Sequence, residues 1–459
     1  MFLLGVAVLG ASLIFGGATR QGLVSEAIPE LLSLPLVAFA LPRAMLFLKR
    51  FPSAFVLVVG LVILPCIQLI PLPPTLWSVL PGRDIIAEIL ATAQTPISWR
   101  PISLLPIETW RALLSLLPAV GMFLATLGLE RGARQRLLIL AVAIGVASAL
   151  LAMLQVLGGR ESSLYFYAFT NAGRGVGFFA NANHFAAFEY ALLPLGAAAL
   201  AETRARSPAF LIAIVGFVAP ALLFALALSG SRSAIILGSF SAFGTLAFVL
   251  TPELTVLGRR RALALTAAFV LALVPVAMGL GLLQILSRFG EQDLVEDSRW
   301  RIAANVWAAI WSYFPVGAGV GTFLSVYPLH ERVADVTPML VNRAHNDALE
   351  TLFEGGAASF LLLLGFIVWL AAATYRAFVH EDVVEGRRAR AGAIAMWLLL
   401  IHSLWDYPLR TIALETLFCF CAALQYAPPS SSHFRTSGTK LGWSRNQTDP
   451  TVSRRKQLA

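Results

Sequence analysis

The stretch "VNRAHNDALETLFEGG", residues 341–356, gathers a histidine, an arginine and three carboxylic acids in a chain of which only 13% is charged. An imidazole titrates near neutrality, so His345 is suited to take up or give back a proton. Asp347, Glu350 and Glu354 follow at spacings of three and four, which on a helix lines three carboxylates along one face. Such a stripe repels itself unless cations or donors face it, and Arg343 and other nearby arginines can supply them. Further arginines stand in short polar breaks. Arg232 lies in "LSGSRSAII" between two apolar runs with almost no loop, and Arg299 and Arg301 flank Trp300 in "DSRWR". A guanidinium presents a planar fork of donors that fits phosphate or carboxylate oxygens. Arg174 sits in "GRGVGFFANANHFA" among glycines expected to let the backbone approach a ligand closely, and Asn181, Asn183 and His184 open the next helix. Each feature also has a simpler reading: Arg232 snorkels to headgroups, His345 is an interfacial cap, and the acids are a solvated first turn complementing a helix dipole. For the cluster of residues 341–356, the chemical reading is preferred.

The elements that position these groups follow from composition. Of 459 residues, 58% are hydrophobic, and the mean hydropathy is +0.78. That is more apolar surface than a water-soluble fold can hide, so the chain is expected to be an integral membrane protein. Its apolar runs are continuous and rich in Leu, Ala and Gly, unlike the alternating segments of a membrane barrel. An all-α fold of about twelve transmembrane helices is predicted, each long enough for a hydrocarbon core of roughly 30 Å. The spans are 2–19, 25–42, 53–70, 110–128, 136–157, 184–201, 209–228, 233–250, 263–285, 355–374, 391–404 and 411–425. The first run lacks a basic leader and a small-residue cleavage site, and is read as a span rather than a removed signal. Cys66, Cys419 and Cys421 all fall within spans, which suggests neither a disulfide framework nor a cysteine-based metal site.

Most of the 34 basic residues fall in segments that share one side of this topology: Arg43, Lys49 and Arg50, "ERGARQR", "ETRARS", "GRRRA", "YRAFVHEDVVEGRRAR" and the tail. The positive-inside rule then makes both termini cytoplasmic. The net charge of +9 is chiefly this orientation signal, with some attraction to anionic lipid, and nucleic acid is not an expected partner. The tail from residue 426 is rich in Ser, Thr and Pro and expected to be disordered.

The polar residues of interest collect on the opposite side, in loops 71–109, 158–183 and 286–354. Trp77, Trp99 and Trp110 in the first suit a segment at the membrane interface. In the third, Ile302, Val306, Ala309 and Ile310 recur at helical spacing after Arg299, which predicts an amphipathic helix on or in the outer leaflet. "PVGAGVGTF" is expected to end it with a flexible turn.

Five separated motifs occur in order between about residues 165 and 425: "GRGVGFFANANHFA", "SGSRSA", "DSRW" followed by "YFPVGAGVGTF", "AHNDALETLFEGG" and "HSLWDYPLR". Together they resemble the O-antigen ligase and polymerase superfamily. The resemblance implies a metal-free glycosyltransferase of the bacterial inner membrane, with no cofactor. It would move a glycan from undecaprenyl diphosphate to an acceptor at the periplasmic face. In ligases the acceptor is a sugar of the lipid A core, in polymerases another lipid-linked repeat unit, and in protein O-oligosaccharyltransferases a Ser or Thr. Arg232 and Arg299 match the family's essential arginines, with Arg301 an alternative to Arg299, and His345 matches its essential histidine. Many relatives read "NPN" where this chain has "NAN", and "HAHNDYLE" where it has "RAHNDALE", so Ala348 stands in place of a tyrosine.

The implied chemistry suits these side chains. A departing diphosphate gathers negative charge, which Arg232 and Arg299, helped by Arg174, would stabilise where water is scarce. His345 would take the proton of the attacking hydroxyl, and direct displacement would invert the anomeric centre. Asp347, Glu350, Glu354 and Asn183 are expected to support the site, with Asp347 or Glu350 orienting the imidazole. The expected organisation is an N-terminal set of membrane helices (1–157), a catalytic membrane domain (158–425) and a tail (426–459). A secondary transporter would instead carry ionisable groups near the midplane and internal repeats. A scaffolding protein would need no such cluster.

Overall fold

The computed structural model describes residues 1–19, 24–49, 51–202, 220–249, 294–336 and 340–428. The predicted ninth span, most of the seventh, the basic segments "ETRARS" and "GRRRA", and the tail from residue 429 lie outside or largely outside the described residues. The described residues are mostly helical: α1 (Phe2–Phe15), α2 (Val24–Leu48), α3 (Pro52–Gln68), the short α4 (Pro74–Trp77) and α5 (Asp84–Thr92), α6 (Pro106–Leu127), α7 (Arg131–Leu157) and α8 (Ala182–Ala201). After α9 (Pro220–Ser229) come α10 (Arg232–Gly244), α11 (Leu294–Tyr313), the short α12 (Phe323–Val326), α13 (Asp347–Phe378), α14 (Val383–His402) and α15 (Ile412–Ala423). Two-residue strands pair antiparallel, with Pro71 opposite Pro101.

Among the described residues, six helices are long and apolar enough to cross a membrane: α2, α6, α7, α8, α10 with its continuation to Val249, and α13. The apolar helices α1, α3, α9 and α15 are shorter. Phe39 on α2, Val56 and Leu61 on α3, and Phe360, Leu361 and Val368 on α13 are all exposed. An apolar exterior of this extent is what lipid, not water, covers. Inside, α8 buries Ala186, Ala187, Ala191 and Ala198 beside Phe185 and Phe188. Small side chains let neighbouring helix backbones approach closely.

Helix starts follow local chemistry. The Asn181 side chain accepts from the Asn183 N–H at 2.7 Å to cap α8, and Asn346 accepts from Leu349 N–H at 3.0 Å to cap α13. Ser231 caps α10 and Asp382 caps α14 in the same way. Proline leads α3 and α6, where its missing N–H costs no helical bond.

The two ends of the bundle differ. At one end, where α7 and α14 begin, Arg388 is fully buried and pairs with Glu202 at 2.5 Å and Glu385 at 3.1 Å. Arg131 bridges Asp382 and Glu385 there, and buried Arg134 donates to the Tyr426 carbonyl. At the other end, where α6, α8, α10, α13 and α15 begin, the loops interlock. Buried Ile302, Val306, Ile310 and Tyr313 of α11 pack with Phe323 and Phe353 into a second, smaller core. This is the predicted amphipathic face.

Two expectations change here. Trp77 is 2% exposed, and its indole N–H donates to the Pro101 carbonyl at 3.0 Å, so it holds the first loop's fold rather than the membrane interface; Trp99 and Trp110 are exposed. The glycines of "PVGAGVGTF" do not make a flexible turn. They admit close backbone contact: Ala318 N–H donates to Phe353 O at 3.0 Å and Gly319 N–H to Glu354 O at 2.9 Å. Facing them, Gly356 breaks α13 with φ +59° and ψ −144°, a conformation open essentially to glycine, and a Cβ there would strike the Pro315 carbonyl. The helix therefore has a short limb carrying the acids and a long apolar limb beyond the break.

Candidate functional site

The site forms where the α14–α15 connection, "HSLWDYPLR", meets the starts of α8, α11 and α13. Its centre is Asp406, fully buried. The Asn183 amide donates to Asp406 Oδ2 at 2.6 Å and the Tyr407 N–H to Oδ1 at 2.9 Å. Around them stand cationic or protonatable groups at slightly longer range: His184 Nε2 at 3.6 Å, His345 Nδ1 at 3.7 Å, His402 Nε2 at 3.9 Å and Arg299 Nη2 at 3.6 Å. Burial alone would raise the Asp406 pKa, but His184, His345 and Arg299 outweigh it and hold the carboxyl well below its usual range. Asp406 is thus a fixed negative charge.

His345 is placed by an unusual backbone. Its φ is +50°, in the left-handed region that non-glycine residues seldom occupy, one residue before the Asn346 cap of α13. The imidazole, 17% exposed, lies edge-on to the Tyr407 ring at 5.1 Å, and His184 meets the same ring at 4.7 Å. Tyr407 is itself buried beside Asp406, and both effects push its pKa up to about 12, so it stays neutral. His345 Nδ1 and both ring nitrogens of His184 make no hydrogen bond. Behind them, His402 Nδ1 shares a 2.8 Å hydrogen bond with the Tyr190 hydroxyl.

Arg299 reaches in from α11. Its Nη1 donates to the Trp405 carbonyl at 3.2 Å, its side chain is 25% exposed, and its Nε has no hydrogen-bond partner. Arg301 is exposed on α11. Arg232 is exposed as the first residue of α10. Arg174 is half-buried in a loop joined to the α9–α10 corner, since Gly175 N–H donates to Leu228 O at 2.9 Å. The glycines beside Arg174 take part in this packing. Gly175 rests on Leu228 and Ala152, and Gln155 accepts from the N–H groups of Val176 and Gly177 at 3.1 and 2.9 Å.

The acidic stripe has a partner that sequence reasoning quoted within a motif but did not single out, Arg410. Its guanidinium meets Glu354 at 2.8 Å, Asp347 at 3.4 Å and Glu350 at 3.6 Å. Arg343 pairs with Glu350 at 2.8 Å, and the Ala344 N–H donates to the same carboxylate at 2.8 Å. Burial would lower the Arg410 pKa, but the three carboxylates raise it further, so the cation persists. Asp347 and Glu350 therefore hold arginines and backbone rather than orienting His345; the carboxylate beside the imidazole is Asp406. The signal for Asp406 and His402 was present as a His/Asp pair four residues apart in a polar break between apolar runs. Among the described residues no group of three His, Cys, Asp or Glu side chains is arranged to hold a metal ion.

Beside the acidic stripe, a mostly apolar cavity of about 520 Å³ opens between α3, α6, α13, α14 and α15. Leu61, Phe123, Leu362 and Phe418 wall it, and Asp347, Thr351, Glu354 and Arg410 form a polar edge. Ala348 lies on its wall.

A comparison with curated proteins returns no match. The model of the O-antigen ligase family, Wzy_C, matches residues 217–370. That stretch contains Arg232, Arg299 and His345, while Asn183, His184, His402 and Asp406 lie beyond it. Over these residues, about a third of its length, the chain is similar to the O-antigen ligase family.

Proposed function

We propose that the chain transfers a glycan from undecaprenyl diphosphate to an acceptor hydroxyl at the periplasmic face of a bacterial inner membrane. The observation that carries this reading is the meeting of Arg299 and His345 at Asp406, at 3.6 and 3.7 Å, although they come from different elements. One group can receive a proton and the other can bind an anion, and both stand within one buried cluster.

In the proposed step the acceptor oxygen attacks the anomeric carbon from the face opposite the diphosphate. The carbon–oxygen bond to the diphosphate breaks, and its electron pair leaves with the phosphate oxygen. The acceptor proton passes to His345 Nε2, while Nδ1 faces Asp406, whose charge favours the imidazolium that forms. The 3.7 Å separation is long for a hydrogen bond, as is common before substrate tightens a site. Arg299 offers its part-exposed guanidinium to the diphosphate. Arg232 and Arg174, both at the α9–α10 corner, are the further diphosphate-binding groups of this reading. Inversion follows from a single displacement without a covalent glycosyl intermediate. The apolar cavity suits the isoprenoid or acyl chain of a lipid substrate, with Ala348 leaving room near its polar edge.

A periplasmic location is supported by charge. Arg131, Arg134, Arg387 and Arg388 gather at the end of the bundle away from the site, which by the positive-inside rule is cytoplasmic. Deleting the gene tests the reading. The expected result is accumulation of the lipid-linked donor, with glycan lost from lipid A, shortened to single repeats or missing from protein, each outcome selecting one acceptor. Unchanged surface glycan and donor levels would overturn it.

A further inference from the structure

We propose that the Trp300–Trp307–Trp311 face of α11 lies in the headgroup layer of the membrane and holds Arg299 at the level of a lipid-linked diphosphate. The first half stands on geometry alone; the second rests on the function proposed above. The three indoles are 82%, 51% and 58% exposed, on a helix whose opposite face is buried in the smaller core. Successive helical residues turn by about 100°, so positions 300, 304, 307, 308 and 311 form one stripe. Ala304 and Ala308 complete it, and both are exposed. Trp307 and Trp311 stack edge to face at 5.7 Å, and Phe314 extends the ridge at 5.5 Å from Trp311.

Lipid is the occupant indicated because the ridge runs into the lipid-facing surface. Immediately after Phe314, the Pro315 carbonyl accepts from Ala357 N–H at 2.9 Å, the first residue of the long limb of α13. Exposed Phe360 and Leu361 follow on that limb. The next residues are tied to the start of α6: Leu104 N–H donates to Ala318 O at 2.9 Å, and the Thr109 hydroxyl donates to Val320 O at 2.7 Å. Trp110 is exposed in that first turn. The C-terminal end of α11 therefore sits where two membrane-crossing helices begin, the depth at which amphipathic indoles are favoured. Arg299 points the other way, to Asp406 and the Trp405 carbonyl. Anchoring the outer face of the helix fixes the height of the arginine on its inner side.

The test uses the full chain in vesicles of phosphatidylethanolamine and phosphatidylglycerol containing lipids brominated near the headgroup end of the acyl chains. Tryptophan emission is compared with that of the Trp300→Phe/Trp307→Phe/Trp311→Phe variant, which keeps the apolar bulk; single Phe variants serve if the triple one fails to insert. The expected difference signal is quenched by the brominated lipid and little affected by aqueous iodide. Quenching by iodide alone would overturn the proposal in favour of a water-facing, glycan-stacking surface. Shielding from both quenchers, with cross-linked dimers, would overturn it in favour of a second copy. The level of Arg299 is read from Trp307→Gln/Trp311→Gln, expected to raise KM for the lipid-linked donor about tenfold with kcat little changed. An unchanged KM would overturn that half. Quenching requires no glycan transfer, so failure of the transferase reading would leave the first result intact.

Discussion

His345 Nδ1 stands 3.7 Å from Asp406 Oδ1, and its ring and that of His184 both pack edge-on against Tyr407. The imidazole is brought there by a left-handed backbone at residue 345, with φ +50°. Such a conformation costs a non-glycine side chain about 1–3 kcal/mol, and it persists where the surrounding structure requires it. The local sequence thus accepts strain to aim one ring at one carboxylate.

That strain separates folding from function. His345→Gly removes the imidazole and relieves the backbone, so thermal stability is expected to hold or rise while glycan transfer is lost. Measuring melting temperature and transfer on the same preparation checks this. A variant that transfers normally would contradict the role of His345 as the proton acceptor.

Arg299→Lys keeps a positive charge near Asp406 but loses the planar fork and the Nε–H. Transfer is expected to fall about 10- to 100-fold, with KM for the lipid-linked donor raised. Full activity would show that a point charge is enough and that bidentate phosphate binding is not used.

The depressed pKa of Asp406 fixes the sign of a pH effect. A carboxyl held lower in the folded state contributes stability that is present above its unfolded pKa, about 3.9, and lost as pH falls through the folded value. The stability difference between the native chain and Asp406→Asn should therefore hold or grow from neutral pH to about 5, where the facing histidines gain charge, and shrink below that. Thermal unfolding across this range measures it; a difference already shrinking between pH 7 and 6 would mean that Asp406 is not held ionised.

Arg410 and Gly356 test the frame around the site. Arg410→Met leaves Asp347, Glu350 and Glu354 facing one another in a buried setting, and removing one partner of such a cluster costs about 3–5 kcal/mol. Gly356→Ala places a Cβ against the Pro315 carbonyl at a φ reserved for glycine. Both are expected to lower the melting temperature by several degrees, and native-like melting of either would argue against the packing described.

Much of this was legible in the sequence because the driving pattern is coarse. Apolar runs reported the helices, and helical spacing reported the buried face of α11 and the stripe of Asp347, Glu350 and Glu354. Arg299, His345 and Asn183 were legible as chemistry-bearing residues. Their common partner was not, because Asp406 lies in a different motif, and only the fold of the α14–α15 connection brings it to them. Arg410 was hidden for the same reason. Glycines misled in "PVGAGVGTF", where they read as flexibility. They instead permit close backbone packing, a distinction that depends on what lies opposite. Trp77 misled because an indole at a membrane interface and one buried in a loop core look alike without their neighbours.

The central claim is that His345 and Asp406 act as one unit in glycan transfer. It is tested most directly by a double-mutant cycle on the rate of transfer from a lipid-diphosphate donor, using purified protein in vesicles. Asp406→Asn alone is expected to lower the rate about 100-fold or more, and to have no further effect once His345 is Gly. Losses that multiply independently, or an Asp406→Asn protein as fast as the native chain, would contradict it.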